Sequence, residues 1–204
     1  MLVHTSNAQT DDGEHPHIFM MDFKLPSPTT NRSFRNYMNG VGDFNGTYMY
    51  RMENGLCLGG GFKYMFTEVH SAAFQTTTVG KLEIFNPFLK LGKRTAIGDR
   101  VFMEYSVKSG YDFVMTSANT CPDNYIQQTF NIEPQAGIYM YSNENLAFGV
   151  TMSYNFLFFE FTPDNLCLDY FPGAVAESSM GFSQIFAVGL GFSAKITKPG
   201  ERGG

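Results

Sequence analysis

The chain is 204 residues long, enough for one domain. Charged residues make up 16% and aromatics another 16%, with 21 Phe, 11 Tyr, 21 Gly and no Trp, a mixture too apolar for a disordered chain. The 14 basic and 19 acidic residues give a formal charge of −5, which argues against a nucleic-acid binder, and no run approaches the ~18 apolar residues of a transmembrane helix.

Residues 1–16 read as a polar, flexible leader. Ser6 and Ala8 supply the small residues that a signal peptidase needs before Gln9, so the leader is either an export-signal remnant or an ordinary polar tail. His15 and His17 flank Pro16 beside Glu14, but two histidines and a carboxylate in a tail do not make a metal site, and no metal or other cofactor is expected.

From His17 onward the chain alternates with a period of two, the mark of strands with two unlike faces. Phe19, Met21, Phe23 and Leu25 oppose Asp22 and Lys24. Phe44, Tyr48, Tyr50 and Met52 oppose Asp43, Asn45, Thr47 and Arg51. Leu56, Leu58, Phe62, Tyr64 and Phe66 oppose Gly59, Gly61, Lys63 and Thr67. In the fourth segment Phe85, Pro87, Leu89 and Leu91 oppose Asn86 and Lys90, and Phe88 breaks the pattern. Val101, Met103, Tyr105, Val107, Tyr111 and Phe113 then oppose Glu104, Ser106, Lys108 and Asp112. Phe130, Ile132, Ala136, Ile138 and Met140 oppose Asn131, Glu133, Gln135 and Gly137. Phe148, Val150, Met152, Tyr154, Phe156 and Phe158 oppose Gly149, Thr151, Ser153 and Asn155. In the last segment Phe186, Val188, Leu190 and Phe192 oppose Ala187, Gly189, Gly191, Ser193 and Lys195. Pro87 and Pro134 each remove a ladder donor, and bulges are expected to absorb them.

The links alternate long and short. Pro26 to Gly40, Glu68 to Thr78, Thr116 to Gln128 and Thr162 to Met180 are long; Glu53-Asn54-Gly55, Arg94 to Asp99 and Ser142 to Asn145 are short. Antiparallel neighbours therefore gather all long loops at one end and all tight turns at the other, as small outer-membrane barrels do. A narrow barrel cannot hold the bulky face inside. That face is expected to meet lipid, while Gly, Ser, Thr, Asn and ions of both signs fill the lumen, where the charges must pair. The expected lumen ions are Asp22, Lys24, Asp43, Arg51, Lys63, Lys90, Glu104, Lys108, Asp112 and Glu133.

The eight segments, the alternating links and the aromatic, Gly-rich last strand from Gly181 to Phe192 resemble the small eight-stranded outer-membrane β-barrels. The resemblance is to the OmpA/OmpX-like group, and especially to the short PorT-like barrels of the Bacteroidota. Here the chain continues through Lys195 to Gly204 instead of stopping on the aromatic, and the girdle relies on Tyr rather than Trp. The resemblance implies an all-β, closed, antiparallel up-and-down transmembrane barrel over residues 17–197, a flexible tail over 198–204, and a place in the outer membrane. It is architectural and carries no catalytic residue.

Cys121 and Cys167 fall in two long loops at the same end, where they either form a disulfide or stay as separate thiols; Cys57 reads as a packing residue. Asn31 to Met38 has helical spacing. Leu166, Leu168, Tyr170 and Phe171 are apolar residues in the longest loop and hint at a partner surface. No histidine lies on the inner face, so no Ser–His–Asp triad is available. The expected protein is non-enzymatic, monomeric as a barrel and plugged. It would act through loops or lateral contacts, in envelope structure, in surface interaction or as an accessory subunit of a secretion or assembly complex. The alternative is a soluble calycin-like barrel holding a lipophilic ligand, which requires the opposite sidedness.

Overall fold

Period-two alternation commits eight segments to strands, and the computed structural model, which describes residues 17–30, 32–69, 79–169 and 181–196, closes them into one barrel. The strands are β1 (His17–Pro28), β2 (Met38–Arg51), β3 (Leu56–Val69), β4 (Gly80–Ala96), β5 (Val101–Ala118), β6 (Tyr125–Tyr141), β7 (Leu146–Leu157) and β8 (Ser183–Lys195). Each pairs antiparallel with its neighbour in sequence, and β8 returns to β1 with Ile18 opposite Lys195 and Pro28 opposite Ile185. Closure leaves no free strand edge, the condition for a sheet in hydrocarbon. Strands of 12 to 18 residues exceed the ~9–11 needed to cross a bilayer, so their ends project beyond it.

The tight turns have local causes. Gly55 sits at φ 81°, and a Cβ there would meet the Arg94 carbonyl oxygen at 2.6 Å, so only glycine fits. The Asn54 side chain accepts from the Leu56 amide at 3.0 Å. In the β6–β7 turn Asn143 Oδ1 accepts from the amides of Asn145 and Leu146.

Several boundaries differ from expectation. β1 runs on to Pro28, β4 carries Arg94 as strand rather than turn, and the β5–β6 link shrinks to residues 119–124. The ladder continues there above and below the apolar band, where either face can meet water and the alternation fades. A six-residue helix, α1 (Arg32–Tyr37), occupies the first loop.

The prolines are absorbed differently from expectation. β4–β5 pairing passes from Phe85–Phe113 to Phe88–Gly110, and β6–β7 pairing from Ile132–Phe156 to Gln135–Ser153. The register is the same on both sides of each gap, so Pro87 and Pro134 interrupt the ladder without a bulge. The register shift lies instead in β2, between Gly40 and Gly42. The leader, His70, Tyr170, Phe171 and the tail beyond Ile196 lie outside the described residues.

A closed lumen and a capped loop end

The alternation turns Asp22, Lys24, Asp43, Lys63, Lys90, Glu104, Lys108, Asp112 and Glu133 inward, where all are buried. They form two clusters. In the first, Glu133 on β6 gathers three lysines: Lys24 of β1 at 2.6 Å, Lys63 of β3 at 2.8 Å and Lys108 of β5 at 3.5 Å. Lys24 also faces Asp43 at 3.6 Å and donates to Ser153 at 2.7 Å. Lys108 faces Asp22 at 3.8 Å, donates to Asn45 Oδ1 at 2.9 Å and lies over the Phe88 ring. That contact explains the break in the fourth segment: Phe88 points inward beneath an ammonium. Asp112 accepts from Asn131 at 3.3 Å.

In the second cluster Glu104 holds Lys90 at 2.6 Å and Arg94 at 2.7 Å. Arg94 was expected in a turn. It shares the inward parity of Lys90, four residues earlier, and extending the count would have found it. Arg51 is the exception among the expected ions: it is half-buried at the turn-end rim, beside Arg94 and Phe102. Five buried acids and five buried bases therefore balance among the described residues. Such pairs hold because each buried base lies within 4 Å of a carboxylate; removing a shared carboxylate strands its bases.

Apolar plugs close both ends. Toward the turns, Tyr139 stacks on Phe102 at 5.0 Å, the Arg94 guanidinium lies over Phe102 at 4.8 Å, and Ile18, Met20 and Met49 complete the cluster. The Tyr139 ring has room because its neighbours are glycines. A Cβ on Gly137, Gly149 or Gly191 would come within 2.7 Å of a Tyr139 atom. The Tyr139 hydroxyl donates to Asp22 at 3.3 Å, joining this plug to the ions. Sequence reasoning overlooked the ring, although its parity matches Gln135 and Gly137.

At the loop end, Phe34 and Tyr37 of α1 pack with Phe159, Phe161 and Leu166 on Met65, Leu82, Ile84, Val114 and Ile185. The Phe34 ring meets Phe161 at 5.4 Å and Phe159 at 6.3 Å. Cys121 and Cys167 are bonded, fastening the β5–β6 loop to the short 3-10 helix Pro163–Leu166. The Thr120 hydroxyl donates to the Leu166 carbonyl at 2.5 Å. Leu166, expected to be exposed, is fully buried here, and Leu168 packs against the same cluster. The helix foreseen in the first loop, α1, serves as a stopper.

The outer face is the reverse of the lumen. Phe23, Leu58, Phe85, Leu89, Tyr105, Ile138, Val150 and Leu190 all point outward and are exposed. A soluble ligand-binding barrel would require these groups inside. An apolar exterior around an ionic lumen, on a closed eight-stranded antiparallel sheet, defines an integral β-barrel of the small outer-membrane class.

No known family matches the chain, and no curated protein does. Among solved structures it is similar to Neisserial surface protein A (NspA), with 9% identity, 89% of this chain and 97% of that one covered, and a TM-score of 0.58. It is also similar to Ail, the attachment invasion locus protein of Yersinia pestis, solved in complex with the heparin analogue sucrose octasulfate. There the identity is 12%, the coverage 88% and 99%, and the TM-score 0.50. At such identities the likeness is one of fold.

Proposed function

We propose that this barrel is non-conducting and non-enzymatic and that it works through its capped loop end, as a surface-interaction protein or an accessory subunit. The observation that carries the reading is the filled lumen: ion clusters at mid-height with an aromatic plug below and an apolar cap above. A cap that is packed and covalently tied offers a fixed outer surface rather than a moving gate. Among the described residues, His17 is the one histidine, and it bonds Tyr48 at the turn-end rim, far from any nucleophile arrangement.

Among the described residues the loop end carries Glu68, Glu83, Asp123, Glu160, Asp164 and Asp169 against Arg35 and Lys81. This acidic balance supports a protein partner with a basic face, and it counts against a sulfated ligand of the kind in the Ail complex. The test is a planar-bilayer recording of the full chain. Absence of unitary currents across ±100 mV is expected, on the order of the potentials that move buried charges. Steady open-channel currents would overturn the proposal.

A further inference from the structure

The outer wall carries a concavity of about 520 Å³, within the ~300–1,000 Å³ of ordinary small-molecule sites. Its floor is β6, where Pro134 and Ala136 stand on a face that is otherwise bulky. Tyr105 of β5 and Met152 of β7 wall it, each about half exposed. The register sets Leu56 opposite Lys93, Lys93 opposite Tyr105, Tyr105 opposite Ala136 and Ala136 opposite Met152, so the groove follows one row across the strands.

The row climbs as it circles. Leu56 opens β3 at the turn end, while Phe186, at the far end of the groove, is the fourth residue of β8, near the loops. Five strand steps of ~4.8 Å make a path of about 24 Å, and at a tilt of ~40° this rises roughly 15 Å, half of a ~30 Å hydrocarbon core.

We propose that the groove seats one acyl chain of an anionic phospholipid from the turn-side leaflet, with Lys93 meeting the headgroup phosphate. The exposed side chains of the lining are largely apolar, since Ser106, Gln135 and Ser153 are buried on the lumen side, and at the lower mouth Lys93 is exposed on the outward face of β4. An outward lysine is costly at mid-membrane and favourable beside a phosphate. The walling strands are two steps apart, about 10 Å. That width admits a hydrocarbon chain but not a helix, whose diameter with side chains is ~10–12 Å.

The test uses the full chain refolded into vesicles of phosphatidylethanolamine and phosphatidylglycerol, extracted in mild detergent and weighed by native mass spectrometry. The wild type should retain one phosphatidylglycerol. Ala136→Phe, which fills the floor, should lose it, and Val150→Phe, outward on β7 but outside the groove, should keep it. Lys93→Gln should lower the phosphatidylglycerol-to-phosphatidylethanolamine ratio about fivefold. Should Ala136→Phe fail to show the heat-dependent gel shift of a folded barrel, Ala136→Leu takes its place. The proposal is overturned by a wild type that retains no lipid, by retention indifferent to the Ala136 changes, by equal loss in Val150→Phe, or by a cross-linked dimer that Ala136→Phe abolishes.

Discussion

Glu133→Gln removes one negative charge from a site that holds three ammonium groups within 3.5 Å. The consequences are unequal. Lys24 keeps Asp43 at 3.6 Å and Lys108 keeps Asp22 at 3.8 Å, whereas Lys63 loses the carboxylate 2.8 Å from its nitrogen. All three lysines are buried, so water cannot replace the missing charge. Breaking a buried pair on one side costs about 3–5 kcal/mol, roughly 10²- to 10⁴-fold in the folding equilibrium. Urea titration of the full chain in thin-bilayer vesicles, read by tyrosine fluorescence and heat-dependent gel mobility, measures this loss. Adding Lys63→Met should recover most of it. Adding Lys24→Met should recover little, because Asp43 then loses a partner. If Glu133→Gln stays within about 1 kcal/mol of wild type, the typical worth of an exposed pair, or if the two double variants behave alike, the hub is not what holds this layer.

Three further outcomes are expected. Gly137→Ala brings a methyl to 2.7 Å from the Tyr139 ring and should destabilise by about 1–3 kcal/mol in the same titration, with partial recovery on adding Tyr139→Leu. Alkylation of the native, unreduced chain should label no cysteine; after denaturation it should label Cys57 alone, and paired Cys121→Ser and Cys167→Ser changes, which open a link across 46 residues, should cost up to ~4 kcal/mol. Leu89→Arg, on the outward face midway along β4, should cost about 2–4 kcal/mol, while Thr95→Arg, near the turn end of the same strand, should be nearly neutral in the same assay.

The strands and their sidedness were legible because bulk and polarity alternate along them. Phe23 against Lys24 and Tyr105 against Glu104 each assign a face without help from tertiary contacts. Carried past the apparent end of the fourth segment, the same rule would have recovered Arg94, while Tyr139 lay inside the sixth segment and was passed over because the inward face was read as small or charged. The rule stopped short because residues beyond the lipid band need not be greasy on one face, as Lys93 and Thr95 beside Arg94 illustrate. The cap was out of reach for another reason. Phe159, Phe161 and Leu166 lie in aperiodic segments and Phe34 on a short separate helix, and only the closed barrel gives them a common cavity to fill. The prolines misled in kind rather than place: their positions were evident, but whether a strand answers with an extra residue or a skipped bond depends on its partners.

The partners of Glu133 come from β1, β3 and β5, so Lys24 meets it from 109 residues away. The Glu104 cluster closes within the β4–β5 hairpin, but Lys63 finds Glu133 only across the lumen, from a strand that does not neighbour β6. A half-built sheet pressed flat into hydrocarbon would leave lysines bare, so the interior must stay hydrated until the first and last strands zip together from Ile18–Lys195 to Pro28–Ile185. That seam completes the Glu133 hub, bringing Lys24 and Lys63 to it from strands that do not neighbour β6, which favours a machinery that shelters the nascent sheet's inner side over spontaneous strand-by-strand insertion.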